Sequence, residues 1–431
     1  MPQRLTTSVA GSVVRVSIGN FLEMYDFMVF GYYAADIGRT FFPSSSAFAS
    51  LLLSLTTFGA GFLMRPLGAI ILGNYVDRRG RRQGLILTLG LMAVGTLSVA
   101  CTPGYARIGI AAPLLVLAGR LVQGFSAGVE VGAASVYLAE IATPGHKGFY
   151  TSWQSTSQQM AVIFAALLGL TVAPRWGWRA PLLIGCALIP FLFWVRSSLP
   201  ETQVFLARKR RPSVREIWTT MIAHAQLVVL GMMLSALTTV SFYMITAYTP
   251  TFGSSVLHLA SQQNLLVTLC VGASNFILVP LMGALSDKVG RRPQLAACGI
   301  AAVLTAAPLY MWLVAAPSAA KLLFVELWFS LIFAACSGAM VPFLTEIMPA
   351  NVRTTGYSLA FSLATAIFGG FTPAISTALI GFTGSRAMPA LWLSFAALLA
   401  LVAVALLKSV PEESGGTVES VYELAEGKSY E

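Results

Sequence analysis

Charge is what this chain has least of. Asp, Glu, Lys and Arg together make up 10% of its 431 residues, against 56% hydrophobic ones. A soluble domain usually carries about 25% charged residues, so a water-facing exterior is excluded for most of this surface. Histidine is nearly absent, at three residues, and the five cysteines (Cys101, Cys186, Cys270, Cys298, Cys336) fall singly in apolar runs. That scatter excludes a disulfide framework or a zinc site and leaves buried free thiols. No His- or Cys-based nucleophile constellation is present, so an enzyme is not expected, nor a cofactor or metal. The phosphate loop G-x-x-x-x-G-K-[ST] is missing, which argues against direct ATP drive. The first apolar run contains Glu23 and Asp26 and has no small-residue cleavage site behind it, unlike a secretory signal.

What the chain has is apolar length. Continuous apolar runs near the roughly 20 residues that span a bilayer recur from end to end. Backbone groups in lipid must be paired internally, and unbroken rather than alternating apolarity selects helices over barrel strands. Twelve segments are marked, near 15–38, 48–73, 84–103, 109–139, 149–172, 179–196, 224–250, 263–284, 294–315, 319–345, 355–381 and 387–407. The longest polar interruption, Arg196 to Ile222, contains Arg208-Lys209-Arg210-Arg211 and divides the spans six and six. The expected fold is an all-α membrane protein of twelve transmembrane helices in two pseudo-symmetric six-helix bundles. The bundles cover 1–197 and 223–408, with a linker over 198–222 and a tail over 409–431.

With the N-terminus placed in the cytoplasm, nineteen Lys and Arg fall on the cytoplasmic side and six on the other, with Arg65 and Arg120 inside spans. The positive-inside rule therefore puts both termini in the cytoplasm. It also accounts for the net charge of +10 without any nucleic acid.

The halves repeat. Gly73-Asn-Tyr-Val-Asp77-Arg-Arg-Gly80-Arg81-Arg82 follows span two, and Gly283-Ala-Leu-Ser-Asp287-Lys-Val-Gly290-Arg291-Arg292 follows span eight. Tyr137-Leu-Ala-Glu140 closes span four as Phe343-Leu-Thr-Glu346 closes span ten. The offsets, 210 and 206 residues, nearly agree. A duplicated six-helix unit suits a carrier that rocks two halves about a midplane site. Asp77, Arg81, Glu140, Asp287, Arg291, Glu346 and Arg353 are then candidates for a cytoplasmic gate of ion pairs; the alternative is arginines that simply hold the loops inside.

The doubled loop resembles the signature of the major facilitator superfamily, G-x-x-x-D-R-x-G-R-R, and the twelve spans and central basic loop resemble that family over the whole chain. Gly19-Asn-Phe-Leu-Glu23-Met-Tyr-Asp26-Phe27 and Phe62-Leu-Met-Arg65-Pro66-Leu-Gly68 are similar to its metabolite–proton symporter branch. That branch includes carriers of citrate, 2-oxoglutarate, shikimate and betaines. Gly119-Arg120-Leu-Val-Gln123-Gly124, the stretch Tyr137 to Ser155, and Phe368-Gly-Gly-Phe-Thr-Pro are similar to its citrate-carrying members. The sequence departs from them at Met24-Tyr25, at Val129-Glu130-Val131 and in its acidic C-terminal tail. The resemblance implies proton-driven import of citrate or a related tri- or dicarboxylate across a bacterial inner membrane. The partners implied are a small organic anion, protons and lipid, and the working unit a monomer.

Ionisable residues inside spans cost roughly 2.5–3.5 kcal/mol each at the helix centre and are read as functional by default. Five stand out, all in the first half: Glu23, Asp26, Arg65, Arg120 and Glu130. Asp36 and Glu326 fall nearer the outer ends of spans, where solvation is easier. A rise of about 1.5 Å per residue brings Glu23, Asp26, Arg65 and Arg120 to similar depth near the midplane. Arginine stays charged and matches carboxylates with its planar fork, which makes Arg120 and Arg65 candidate substrate ligands. Glu23, Asp26 and Glu130 are candidates for proton coupling, and a permanent structural pairing of Arg with acid is the alternative. Gln123 shares the Arg120 stripe; Gln154 and Gln158 are i,i+4 neighbours on a polar face of span five. Asn20, Tyr25, Tyr243 and Asn275 are single polar residues that either complete the site or tie helices together.

Overall fold

The structure, a computed structural model, describes residues 9–79, 81–128, 130–197, 224–348 and 353–407. All its regular elements are helices. The first half runs through α1 (Val9–Tyr32), a short α2 (Ala34–Phe41), α3 (Ala47–Leu63) continued by α4 (Arg65–Arg79), and α5 (Arg81–Cys101). A single turn α6 (Tyr105–Ile108), α7 (Ala111–Ala127) continued by α8 (Glu130–Glu140), α9 (Lys147–Thr171), a turn α10 (Ala173–Trp176) and α11 (Arg179–Ser197) complete it. The second half opens with α12 (Ala225–Tyr243), a π segment (Met244–Tyr248) and α13 (Thr249–Ser255). It continues with α14 (Ser261–Val289), α15 (Arg291–Ala315) and α16 (Ala319–Ile347). Next come α17 (Arg353–Ala364), a second π segment (Thr365–Gly369) and α18 (Thr372–Thr383), and last α19 (Pro389–Leu406). Joined through their breaks these helices make twelve rods among the described residues, six per half, and over those residues seven of the rods are long and apolar enough to cross a membrane. The expected linker, the tail and the side chains of Asp77, Arg81 and Glu130 lie outside the described residues.

The breaks have local causes. Pro66 has no N–H and crowds the preceding turn, so α3 ends at Leu63 and α4 starts afresh at Arg65. Pro250 would strand a carbonyl in the same way; there the turn widens into the π segment, and the Thr249 hydroxyl donates to the Met244 carbonyl at 3.1 Å. The second π segment closes with Gly370 N–H donating to Thr365 O at 2.7 Å. The sequence predicts span one as far as residue 38, but the rod stops at Tyr32 and Asp36 belongs to α2. Residues 34–41 are amphipathic: Ala34, Ile37, Gly38 and Phe41 are buried. Asp36 and Arg39 pair at 2.6 Å on the exposed side. A rod carrying that polar face could not continue through lipid.

The halves meet along α9 against α14, α1 against the first π segment, and α3 against α18. Close approach of α9 and α14 needs glycine, because a Cβ at Gly148 would strike the Gly283 carbonyl. On the face that carries the Asp287–Arg292 loop, here the basic face, the halves are drawn together. On the opposite face they part around a cavity of about 710 Å³, lined from both halves by Tyr33, Arg39, Phe48, Pro250, His258 and Arg386, among others.

Candidate functional site

Helix α1 delivers two acids on one face, Glu23 and Asp26, 2% and 3% exposed. Each meets a different arginine. Arg65, at the α3–α4 break, places Nη2 2.6 Å from Glu23 Oε1. Arg120, on α7, has Nη1 3.9 Å from Asp26 Oδ2, beyond hydrogen-bond length. Gln123 fills that gap. Its Oε1 accepts from Arg120 Nη1 at 2.8 Å, and its Nε2 donates to Asp26 Oδ2 and, at 3.1 Å, to Thr96 Oγ1. The four charges expected near one depth are therefore together, as two pairs, one direct and one bridged.

Aromatic rings surround both cations. The Arg120 guanidinium lies 4.3, 4.5 and 5.2 Å from the rings of Phe27, Phe30 and Phe58. That of Arg65 lies 4.9 Å from Phe62 and 5.3 Å from Phe27. Phe27 thus touches both cations, and desolvated cation–π contacts of this kind contribute about 2 kcal/mol. No motif in the sequence marks these rings, although Phe27 and Phe30 each sit four residues after an acid, Glu23 and Asp26, and Phe62 three before Arg65, on the same helix faces. Arg120 reaches the centre because α7 packs directly on α3. A Cβ at Gly124 would run into the Gly61 carbonyl, and one at Gly61 would lie 2.8 Å from the Arg120 carbonyl.

Arg120 is 0% exposed, yet its Nε and Nη2 have no hydrogen-bond partner among the described residues; nor has Arg65 Nε. An unsatisfied buried donor costs about 1–3 kcal/mol, more when charged. The site therefore holds unused capacity for an oxygen acceptor. From the second half, Tyr243 closes over it, its ring 5.1 Å from Phe62 and 6.0 Å from Phe58.

The remaining polar candidates divide. Asn20 donates to the Gln154 carbonyl at 3.2 Å and to Ser157 Oγ at 3.4 Å, tying α1 to α9. Gln154 and Gln158 are both buried on α9, and Gln154 Nε2 has no partner among the described residues. Tyr25 turns away from the arginines and donates to the Pro181 carbonyl at 2.6 Å. Asn275 donates to Ser330 within the second half at 3.5 Å. Glu326, read as easily solvated, is 2% exposed on α16, and its Oε2 has no partner among the described residues. The reason is tertiary: α13, α15 and the first π segment cover its face of the rod.

At the basic face, Asp287 joins the halves. Its two carboxylate oxygens accept from the backbone N–H groups of Gly148 at 2.8 Å and Phe149 at 3.0 Å, in the first turn of α9. A carboxylate there satisfies free helix-end donors and opposes the positive end of the helix dipole. Arg291 lies 2.7 Å from Asp287 and 3.4 Å from Glu346. Arg353 opens α17 half-buried, its Nε without a partner among the described residues, and Glu140 is exposed at the end of α8. Two contacts between halves that the sequence did not advertise lie deeper: Ser337 Oγ to Ser155 Oγ at 2.8 Å and Ser135 Oγ to Tyr357 OH at 3.2 Å.

A family model, the Major Facilitator Superfamily, matches residues 16–373. The chain belongs to the Major Facilitator Superfamily. It is 56% identical over 405 residues to the citrate–proton symporter of Salmonella typhi, covering 92% of this chain and 93% of that one. It is 55% identical to the citrate–proton symporter of Klebsiella pneumoniae, covering 92% and 91%. Among solved structures, a D-xylose–proton symporter superposes with a TM-score of 0.73 at 18% identity, over 94% of this chain and 99% of that one. That likeness speaks for the fold, the twelve-helix arrangement of Major Facilitator Superfamily members. Membership makes the chain a transporter rather than an enzyme, and a multi-pass protein of the inner membrane.

Proposed function

We propose that this protein imports citrate, or a closely related tri- or dicarboxylate, together with protons, by alternating access. The observation that carries the reading is Arg120: a fully buried guanidinium with two nitrogens unused, tied through one glutamine to a buried acid. The relatives' names support the substrate class. Both termini are cytoplasmic, so the basic face is the inner one and the cavity opens outward.

In this cycle the anion enters from the outer vestibule and passes Tyr243, and a carboxylate takes the free fork of Arg120. Arg65 gives a second contact, with Gln154, Gln158 and Asn20 completing the pocket from α9 and α1. Glu23 and Asp26 balance the two arginines when ionised. A multivalent anion added to that neutral set leaves excess negative charge in a low-dielectric site. Protonating an acid removes the excess, so proton and anion each raise the affinity for the other. Gln123 transmits the exchange: an anion that draws Arg120 away also unseats the amide from Asp26. Glu130 is the reserve candidate for this role. On the inner face Asp287, Arg291 and Glu346 hold the halves shut with Arg353 beside them, and Asp77, Arg81 and Glu140 are the counterparts of the first three in the repeat. One monomer contains every part.

The test is citrate binding by purified protein across a pH series, beside gradient-driven uptake in proteoliposomes, for the wild type, Asp26→Asn and Glu23→Gln. Citrate's own ionisation is subtracted. Wild type binds more tightly as pH falls; the coupling variant binds with a flat pH profile and loses uphill uptake while exchange survives. Two variants that both still concentrate citrate would move the proton site elsewhere, to Glu130 first. Tricarballylate, 2-oxoglutarate, shikimate and betaine as competitors decide the substrate, and 2-oxoglutarate outcompeting citrate would overturn the substrate assignment.

A further inference from the structure

Among its described residues the second half buries one acid, which the site above does not use. Glu326 lies seven residues into α16, about 10 Å along the helix from its start. It is 2% exposed. Among the described residues it forms no ion pair with Lys, Arg or His, unlike Glu23 and Asp26. The titratable groups facing it are the phenol of Tyr310 on α15 and, beside that, Tyr248 in the π segment. The hydroxyl of Thr249 lies beside it. That hydroxyl has one proton, and it is donated to the Met244 carbonyl freed by the π turn. No hydroxyl proton of Thr249 is left over for the carboxylate. A neutral carboxylic acid is the form that burial without a cation favours. The neighbourhood borders the outer cavity. Pro250 and Thr377 line that cavity, and Thr377 Oγ1 donates to Tyr248 OH at 3.0 Å.

We propose that Glu326 is a second proton-binding site, housed in the half whose described residues bury no arginine and loaded from the outer vestibule past Thr377 and Tyr248. Loading makes one O–H bond on the carboxylate with a proton from hydronium in the vestibule, which is left as water, and no other protein group changes charge. The proposal rests on the proton-coupled reading above and adds a carrier to it: one of the protons accompanying each anion travels on α16, beside the π turn at the interface of the halves.

Two measurements on the full chain test it. In proteoliposomes, the proton-to-citrate ratio is read from the membrane potential that balances an imposed citrate gradient. Glu326→Gln should lower that ratio by one proton with citrate affinity changed less than twofold, and Glu326→Asp should keep the wild-type ratio. An unchanged ratio in Glu326→Gln overturns the proposal. Separately, infrared spectra of the wild type at neutral pH should contain a carboxylic-acid C=O band that shifts in D₂O and is displaced in Glu326→Asp. A band identical in that variant would mean that Glu326 is ionised, and would overturn the proposal even if Glu326→Gln failed to fold. Wild-type protein that moves citrate with no proton would sink the coupled reading instead, and the infrared band would still decide whether Glu326 holds its proton.

Discussion

The two halves share one architecture and treat charge in opposite ways. The first half buries two acids and two arginines as compensated pairs under a roof of phenylalanines. Among its described residues the second buries a single acid, beside hydroxyls and phenols. They differ in backbone as well: both π segments are in the second half, in the rods that face α1 and α3. A duplicated frame therefore fixes where rods stand, and later substitutions decide what each rod carries. The half with paired ions is suited to reading an anion. The half with widened turns and small hydroxyls is suited to moving against it, since π turns give a helix a place to bend.

The sharpest way to break this comparison is to unbalance the charged half. Arg65→Met leaves Glu23 buried without its guanidinium, which should cost about 3–5 kcal/mol of stability. The double variant Arg65→Met/Glu23→Gln should recover most of that. Thermal unfolding in detergent reads both, and a double variant no better than the single would show that the pair is not an energetic unit. No comparable loss is expected from Asn275→Ala in the second half.

Next in size is Arg120→Lys. It keeps the charge and loses the fork, so citrate affinity should fall roughly tenfold to a hundredfold, the worth of one to two charge-assisted hydrogen bonds. Membrane insertion and yield should stay at the wild-type level. Wild-type affinity by calorimetry would remove Arg120 from the substrate.

A smaller effect is expected where the halves touch. Asp287→Asn removes a charge facing the first turn of α9, an interaction of about 0.3–1 kcal/mol and up to about 2 when partly buried. The inner face should open more often, and a single cysteine at Ser337, beneath the closure, should label severalfold faster. The order of competing substrates should not change; a new order would mean that Asp287 shapes the binding site.

The smallest change separates a residue of the packing from one of the site. Tyr25→Phe removes the hydrogen bond to Pro181 and should cost about 0.5–1.5 kcal/mol of stability, with citrate affinity unaltered. A tenfold loss of affinity would return Tyr25 to the substrate pocket.

The sequence by itself determined the things that depend on length, period and charge count. Twelve apolar runs, a repeat of Asp77 in Asp287 and of Glu140 in Glu346, and four ionisable residues at one depth were legible because helix rise is constant and lipid tolerates few charges. What it did not contain is the rotation of each rod about its axis against its neighbours. Only the tertiary structure decided that Glu23 takes Arg65 while Asp26 reaches Arg120 through Gln123, that Tyr25 points into α11, and that Asp36 leaves the span for a surface helix. Glu326 is the clearest case. Its position near a rod end reads as solvated, and it is buried because a π turn, set by Pro250 far away in sequence, brings Thr249 and Tyr248 toward it. Such contacts come from helix pairs that glycines such as Gly61 and Gly124 allow to touch, and no local pattern encodes which glycine will meet which.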